Sequence, residues 1–283
     1  MNATELIAKV KNLAPVSQSA LKLVGLLDQP AISNEDIVQV LKFDTVLTAK
    51  LLRACNSPFF GLEEPVSSVE QAVLILGHQQ ILHIALSIAF SSTMAAPLPG
   101  YAAEAKELWQ HSLVAAMASE NIARNSNALS VDAPVAFTAG LLHDIGKVVM
   151  NQVLTPDART ALLDRIASNG QSRTEAEREI IGVDHADIGK CLLETWRLPD
   201  TIIEAVGNHH HPVSRPEPKL SCLVHTANCL AHVIGSNLGW EAFAERADAG
   251  AIEVLDIDQI KLDELVVAAH ESMCQVEQLM QMA

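Results

Sequence analysis

Apolar residues recur at helical spacing, three and four positions apart, along almost the whole chain. They are mainly Ala, Leu, Ile and Val, and no stretch shows the strict alternation of a half-buried strand. The pattern therefore predicts an all-α protein. With 283 residues, 49% of them hydrophobic and 4% aromatic, the chain is long enough for one large or two smaller helical domains.

Capping residues predict where several helices begin. Ser33 followed by Asp36 has the spacing of a capping box, in which the two side chains satisfy free amides of the first turn. Asp184 followed by Asp187 predicts another helix start, with His185 as its first helical residue.

The segment 91–100 contains Pro97 and Pro99 and is the predicted boundary between two lobes. Residues 1–96 would form an N-terminal helical lobe, and residues 101–283 a second lobe with a helical C-terminal extension. The last helix is expected over 262–280, where an apolar stripe would pack on the second lobe or pair with another copy of the chain.

Charge limits the partners that the chain can have. The 19 Lys and Arg face 34 Asp and Glu, and the formal charge of -15 disfavours contact with polyanions. The short helices predicted around residues 37–56 can suggest a helix-turn-helix. Lys42, Lys50 and Arg53, however, are too few cations for a recognition helix and its phosphate anchors. No nucleic-acid partner is expected.

The cysteines are odd in number and lack C-x-x-C spacing, which argues against a disulfide framework or a zinc ribbon. They are expected to be buried free thiols in a reducing compartment. The start of the chain lacks the pattern of a signal peptide, and no stretch approaches about 18 uncharged apolar residues. A cytoplasmic protein without membrane contact is expected. The five cysteines of the chain are Cys55, Cys191, Cys222, Cys229 and Cys274.

Candidate chemistry centres on Gly140-Leu-Leu-His-Asp-Ile-Gly-Lys147, where His143 and Asp144 end an apolar helical run. Such a pair is commonly a cap or a surface pair. However, consecutive helical side chains point about 100° apart and so reach neighbouring points of one cavity. An imidazole binds one borderline metal ion, and a carboxylate can bridge two. Lys147 places a cation where a phosphate would approach. Asp144 and Lys147 are the candidate catalytic residues.

Further histidines are predicted to face the core from other helices. His111 lies on the face of its helix that continues with small apolar residues, and His185 precedes an apolar stripe. His209 and His210 end an apolar face, whereas His211 is predicted to be solvated. Because a buried imidazole needs a hydrogen bond or a metal, a shared metal pocket is predicted. Its ligands are His111, His143, Asp144, His185, His209 and His210.

Several longer motifs occur in a fixed order. They are Leu51-Leu-Arg-Ala-Cys-Asn-Ser-Pro-Phe-Phe-Gly61, Val66-Ser-Ser-Val-Glu-Gln-Ala72, Ala139-Gly-Leu-Leu-His-Asp-Ile-Gly-Lys147 and His209-His-His-Pro212. Over roughly residues 13–213 the chain resembles the HDOD family, the HD-related output domains of the HD metal-dependent phosphohydrolase superfamily. The resemblance implies a two-lobed helical bundle with an HD-like second lobe, and it places the family ligand positions on the same six residues.

Two departures from the family pattern bear on function. Asn228 stands at the position of the last family aspartate, and Val213-Ser-Arg-Pro-Glu-Pro218 replaces the Gly-Tyr-Pro signature of the related HD-GYP phosphodiesterases. An amide is a neutral and weaker ligand than a carboxylate. The pocket is therefore expected to hold one or two divalent ions, or none, with Fe, Mn, Ni and Zn as candidates.

The resemblance implies a bacterial signal-transduction protein, a regulatory module with a His/Asp pocket that binds a signalling protein or a small phosphorylated ligand. The alternative is a metal-dependent phosphohydrolase, a phosphodiesterase that acts on a nucleotide or another phosphoester. Homo-oligomerisation stays open.

Overall fold

The computed structural model describes residues 2–9, 16–29, 31–126, 130–169, 171–214, 216–237 and 247–282. Within these ranges the secondary structure is helical apart from one isolated bridge between Leu98 and Ala103, which confirms the all-α prediction. Three short 3₁₀ helices accompany the α-helices. They are Leu26–Asp28, Pro58–Phe60 and Pro99–Tyr101.

The N-terminal half is organised around α6, which is buried on most of its surface. Helices α2, α3, α4 and α5 all pack against it. The six helices of this half are α1 (Ala3–Lys9), α2 (Gln18–Gly25), α3 (Asn34–Lys42), α4 (Thr45–Cys55), α5 (Val69–Leu76) and α6 (His78–Met94).

The second half is organised around the closely packed pair α7 and α8, which is flanked by α14 and α16. Helix α12 packs against both α9 and α13. The helices of this half are α7 (Glu107–Arg124), α8 (Ala133–Leu142), α9 (Gly146–Val153), α10 (Pro156–Asn169), α11 (Arg173–Ile181), α12 (His185–Thr195), α13 (Asp200–Gly207), α14 (Lys219–Val233), α15 (Ala249–Val254) and α16 (Gln259–Met282).

The predicted capping boxes form. Ser33 accepts a hydrogen bond from the Asp36 amide while the Asp36 carboxylate accepts from the Ser33 amide, so both first-turn donors of α3 are satisfied. Asp184 and Asp187 do the same at the start of α12. His185 is therefore held as the first residue of that helix, as predicted.

The two predicted lobes share apolar packing. One cluster of buried side chains extends from Leu6 in α1 to Val276 in α16, and α1 packs on α9 and α12. The boundaries 1–96 and 101–283 stay predictions. Helix α16 lies along α7, with Leu265, Ala269 and Val276 buried, so its apolar stripe is covered by the same chain.

Close contact between α9 and α12 requires a glycine. A Cβ on Gly146 would overlap the carbonyl oxygen of His185 and lie 2.6 Å from the amide nitrogen of Gly189. This glycine lets the two backbones meet. It therefore brings the segment after His143 and Asp144 against the residue that begins α12.

All five cysteines are free thiols, and Cys55, Cys222 and Cys229 are buried as expected. The expectation of burial was wrong for Cys274, which is exposed because it lies on the outer face of α16, and Cys191 is half-buried. Among the described residues, no helix combines the length and apolar character that crossing a bilayer requires.

Candidate metal centre

The carboxylate of Asp144 lies, fully buried, at the centre of the predicted ligands. It follows α8 directly and is surrounded by four buried imidazoles. The Nε2 atoms of His111 and His143 lie 3.6 and 3.3 Å from Oδ2. Those of His185 and His209 lie 3.4 and 3.7 Å from Oδ1. The structure thus brings together side chains from separate helices around one carboxylate.

The opposite ring nitrogen of each of these four histidines is anchored. Nδ1 faces an acceptor at hydrogen-bond distance in every case, which orients Nε2 towards Asp144. The acceptors are the carbonyl oxygens of Ser236 for His111 at 2.6 Å, Gly140 for His143 at 2.8 Å and Val206 for His209 at 2.7 Å, and the Glu177 carboxylate for His185 at 2.7 Å.

The two oxygens of Asp144 have different surroundings. Oδ2 accepts a hydrogen bond from Lys147 Nζ at 2.7 Å. Oδ1 has no hydrogen-bond partner among the described residues, and the imidazoles of His185, His209 and His210 converge on this side. His210 is half-buried, and its Nε2 lies 2.9 Å from that of His185. Lys147 therefore contacts the carboxylate instead of pointing into an open pocket.

Unpaired Lewis bases at the centre fit a divalent metal ion. Asp144 Oδ1 and the Nε2 atoms of His143 and His209 are buried and have no hydrogen-bond partner in the part of the chain that the structure describes. Buried polar atoms without partners cost folding free energy, and a cation on the Oδ1 side would satisfy Oδ1 and His209, whereas His143 faces Oδ2. Imidazole nitrogen and carboxylate oxygen are ligands that Zn, Fe, Ni and Mn accept. The identity of the metal does not follow from this set.

Burial and neighbouring charges set the protonation states of the cluster. Burial opposes ionisation of Asp144, but His143 and Lys147 hold the pKa of its carboxyl well below the ordinary value. Burial, together with the neighbouring histidines, holds the pKa values of His111 and His209 well below the ordinary value. A carboxylate and neutral imidazoles are the forms that bind metal. Burial opposes the charge of His185, but Glu177 and Asp144 raise its pKa to about 10, so a metal ion would have to displace its proton.

Glu177 is a functional candidate that the sequence did not indicate. The segment 174–181 is rich in charged residues, but Glu177 is fully buried. Its carboxylate accepts from the amide and from Nδ1 of His185, at 2.8 and 2.7 Å, and from the Tyr101 hydroxyl at 2.7 Å. Burial would raise the pKa of Glu177, but His185 and Tyr101 bring it to about 2. Glu177 thus supports His185 as an ionised carboxylate.

Asn228 lies in the centre, where the resemblance placed it. It is buried, and its Oδ1 is 3.0 Å from Nε2 of His111. Since Nδ1 of His111 donates to the Ser236 carbonyl, Nε2 of the neutral ring is an acceptor, and the Asn228 Oδ1 that faces it is an acceptor as well. Glu107, which precedes His111 by one turn, instead accepts from the Glu104 amide at the start of α7.

His211 and His83 lie outside the cluster. His211 is exposed, as predicted. His83 is buried, and its ring stacks on Phe137 with centroids 4.0 Å apart. Its Nδ1 lies 3.4 Å from the Glu120 carboxylate, whereas its Nε2 has no hydrogen-bond partner among the described residues.

Fold and cluster together define an all-α protein with an HD-type His/Asp centre. The sequence matches the model of the HDOD domain over residues 13–212, and the chain belongs to the HDOD family.

Known relatives agree with this fold. An uncharacterized protein of Treponema pallidum (strain Nichols) is 24% identical over 217 residues, and this alignment spans 76% of the chain but only 41% of that relative. A solved structure from Marinobacter aquaeolei VT8, assigned to signal transduction, has a TM-score of 0.77 and 23% identity and covers 98% of this chain and 65% of that one. A protein from Shewanella amazonensis SB2B, provisionally named a phosphohydrolase, has a TM-score of 0.69 and 22% identity over 97% of both chains.

Proposed function

We propose that this protein is a regulatory signalling module of the HDOD family that holds one divalent metal ion inside its second lobe. The ion would lie on the Oδ1 side of Asp144, with His185, His209 and His210 as the other ligands. The observation that carries the proposal is the difference between the two carboxylate oxygens, because Oδ1 is unpaired while Oδ2 is bound by Lys147.

A second ion on the Oδ2 side is disfavoured by two features. The Lys147 ammonium lies 2.7 Å from Oδ2 and would repel a cation there. On the same side, the residue beside His111 is the neutral Asn228, which adds no negative charge to hold a cation. A dinuclear centre would need Lys147 to leave Asp144. One ion, held by three imidazoles and one carboxylate, has the ligand number of a four-coordinate site.

Burial supports a structural or regulatory role for the ion. The four central histidines and Asp144 have no exposed surface, and Lys147 is 2% exposed. A phosphoester would need a path to the ion and a free cation to offset its charge, whereas Lys147 is held by Asp144. The signalling assignment of the Marinobacter aquaeolei relative agrees with this role, and a signalling protein is the proposed partner.

Phosphohydrolase activity is the second candidate. His210 is half-buried and gives the cluster one edge towards solvent, and the Shewanella amazonensis relative carries a phosphohydrolase name. A bound ion would supply Lewis-acid polarisation of a phosphoryl oxygen. Lys147 would have to leave Asp144 before it could contact a phosphate.

Metal content and hydrolysis distinguish the two candidates. Protein purified without chelator should contain one transition metal ion per chain and should not hydrolyse bis(para-nitrophenyl) phosphate above a metal-only control. Turnover that is lost in Asp144→Ala and Lys147→Gln, both with an unchanged circular dichroism spectrum, would establish the enzyme and refute the regulatory proposal.

A further inference from the structure

A second cavity lies between the two halves of the protein. It is a cleft of about 720 Å³ formed by α4, the turn Pro58–Phe60, α6, α7, α8 and the C-terminal part of α16. None of the candidate metal ligands lines it. Its volume falls in the range of about 300–1,000 Å³ that is typical of small-molecule sites.

Aromatic side chains are concentrated in this cleft. The lining includes Phe59, Phe60, Trp109 and Phe137, which are four of the ten Phe, Trp and Tyr residues of the chain. Elsewhere the described core is mainly aliphatic, with Phe90 and Tyr101 as its buried aromatic side chains. Aromatic walls favour a ligand that contains a ring, because ring pairs add attraction beyond the burial of apolar area.

Two cations lie at the edge of the cleft. Lys50 and Arg53 are exposed, lie three residues apart on α4, and form no ion pair with any described residue. Glu120 also lines the cleft, but its charge is offset by Arg124, whose Nη2 lies 2.6 Å away. In a chain with a formal charge of -15, a pair of uncompensated cations beside an aromatic wall is suited to an anionic group.

Polar groups without partners occur among the buried lining residues. Trp109 and His83 are each 6% exposed, and the Trp109 indole N–H and His83 Nε2 have no hydrogen-bond partner among the residues that the structure describes. An indole N–H can only donate. A ligand oxygen that reaches this depth would supply the missing acceptor.

We propose that the cleft is a binding site for a small aromatic organic anion, with its ring against Phe59, Phe60 and Trp109 and its negative group at Lys50 and Arg53. Four observations combine in this proposal: the volume, the aromatic lining, the cation pair and the unpaired donor. Trp109 and Phe137 belong to α7 and α8, the helices that also position His111 and His143, so a bound ligand contacts the framework of the metal centre. The proposal does not depend on the metal.

Isothermal titration calorimetry with anilinonaphthalene sulfonate, an aromatic sulfonate, tests this site on the full chain. N-phenyl-naphthylamine, which has the same rings without the sulfonate, is the neutral comparison. The variant Lys50→Gln with Arg53→Gln removes both edge charges. Lys22→Gln with Arg197→Gln removes two exposed charges outside the cleft and gives the same change in net charge. Ser87→Phe fills the cleft from α6.

We expect one sulfonate probe per chain, an affinity about tenfold lower in the Lys50/Arg53 variant, and an unchanged affinity in the Lys22/Arg197 variant. The neutral probe should bind both charge variants equally, and Ser87→Phe should bind neither probe. Equal loss in the two charge variants, binding of several probes per chain, or full binding by folded Ser87→Phe would overturn the proposal. So would a concentration-dependent dimer that the probe dissociates, because the cleft would then be an interface between copies.

Discussion

Replacing Glu177 by glutamine tests how the protein orients a metal-binding histidine. The change keeps the shape of the side chain but removes the negative charge of the group that accepts a hydrogen bond from Nδ1 of His185 at 2.7 Å. A hydrogen bond to a charged group contributes about 1.5–3 kcal/mol, and loss of such a carboxylate behind a ligating histidine typically lowers metal affinity about 10- to 100-fold. Since tenfold corresponds to about 1.4 kcal/mol, the two magnitudes agree.

The assay is a zinc titration in competition with a chromophoric chelator, at one pH and ionic strength. Glu177→Gln is expected to bind zinc 10- to 100-fold more weakly, on the order of 1.4–2.7 kcal/mol. Glu179→Gln is the matched control, because Glu179 lies on the same helix and forms an exposed ion pair with Arg165. An exposed pair contributes about 0–1 kcal/mol to stability and nothing to the cluster. If Glu177→Gln, with its fold intact, bound zinc within twofold of the unchanged protein, the positioning role of Glu177 would be wrong.

Three further predictions concern ion number, packing and pH. Asn228→Asp combined with Lys147→Gln should raise the metal content from one ion per chain towards two, measured by mass spectrometry. An unchanged content would refute the explanation that Lys147 and the neutral Asn228 disfavour a second ion on the Oδ2 side. Gly146→Ala should lower the free energy of unfolding, measured by urea denaturation, by about 3 kcal/mol or more, because the added Cβ overlaps α12. Gly25→Ala, whose Cβ meets nothing within 4 Å, should not lower it. Burial and Arg124 lower the pKa of His83 from 6.5 to about 3, so the stability that this residue contributes above pH 6.5 should be lost as pH falls below it. In His83→Phe the slope of the free energy of unfolding against pH should be lower by at most about 1.4 kcal/mol per pH unit, whereas the contributions of His111 and His209 remain.

Local signals in the sequence predicted local structure well. Ser33 and Asp184 cap the helices that follow them because a capping side chain acts on amides only two or three residues away. The helical periodicity predicted the fold class because it too depends on residues only three and four positions apart. Helix α7 begins only at Glu107, because the 3₁₀ helix Pro99–Tyr101 and a bridge between Leu98 and Ala103 occupy the preceding segment.

The convergence of the histidines on Asp144 was also predictable, since each imidazole lay on an inward face of its own helix. The burial of Glu177 beside His185 and the contact between Lys147 and Asp144 could not be predicted from the sequence. Glu177 lies in a segment whose charged neighbours are exposed, and its partners Tyr101 and His185 come from distant parts of the chain. The contact of Lys147 with a phosphate stays a prediction, and the structure adds a contact between its ammonium and Asp144 that the sequence did not indicate.

The central claim is that one carboxylate oxygen faces a single ion while the other is held by lysine. Inductively coupled plasma mass spectrometry of the full chain, purified without chelator and compared with Asp144→Ala, tests it most directly. The account predicts one transition metal ion per chain in the unchanged protein and none in the variant. Two ions per chain, no bound ion, or an ion that persists in folded Asp144→Ala would contradict it.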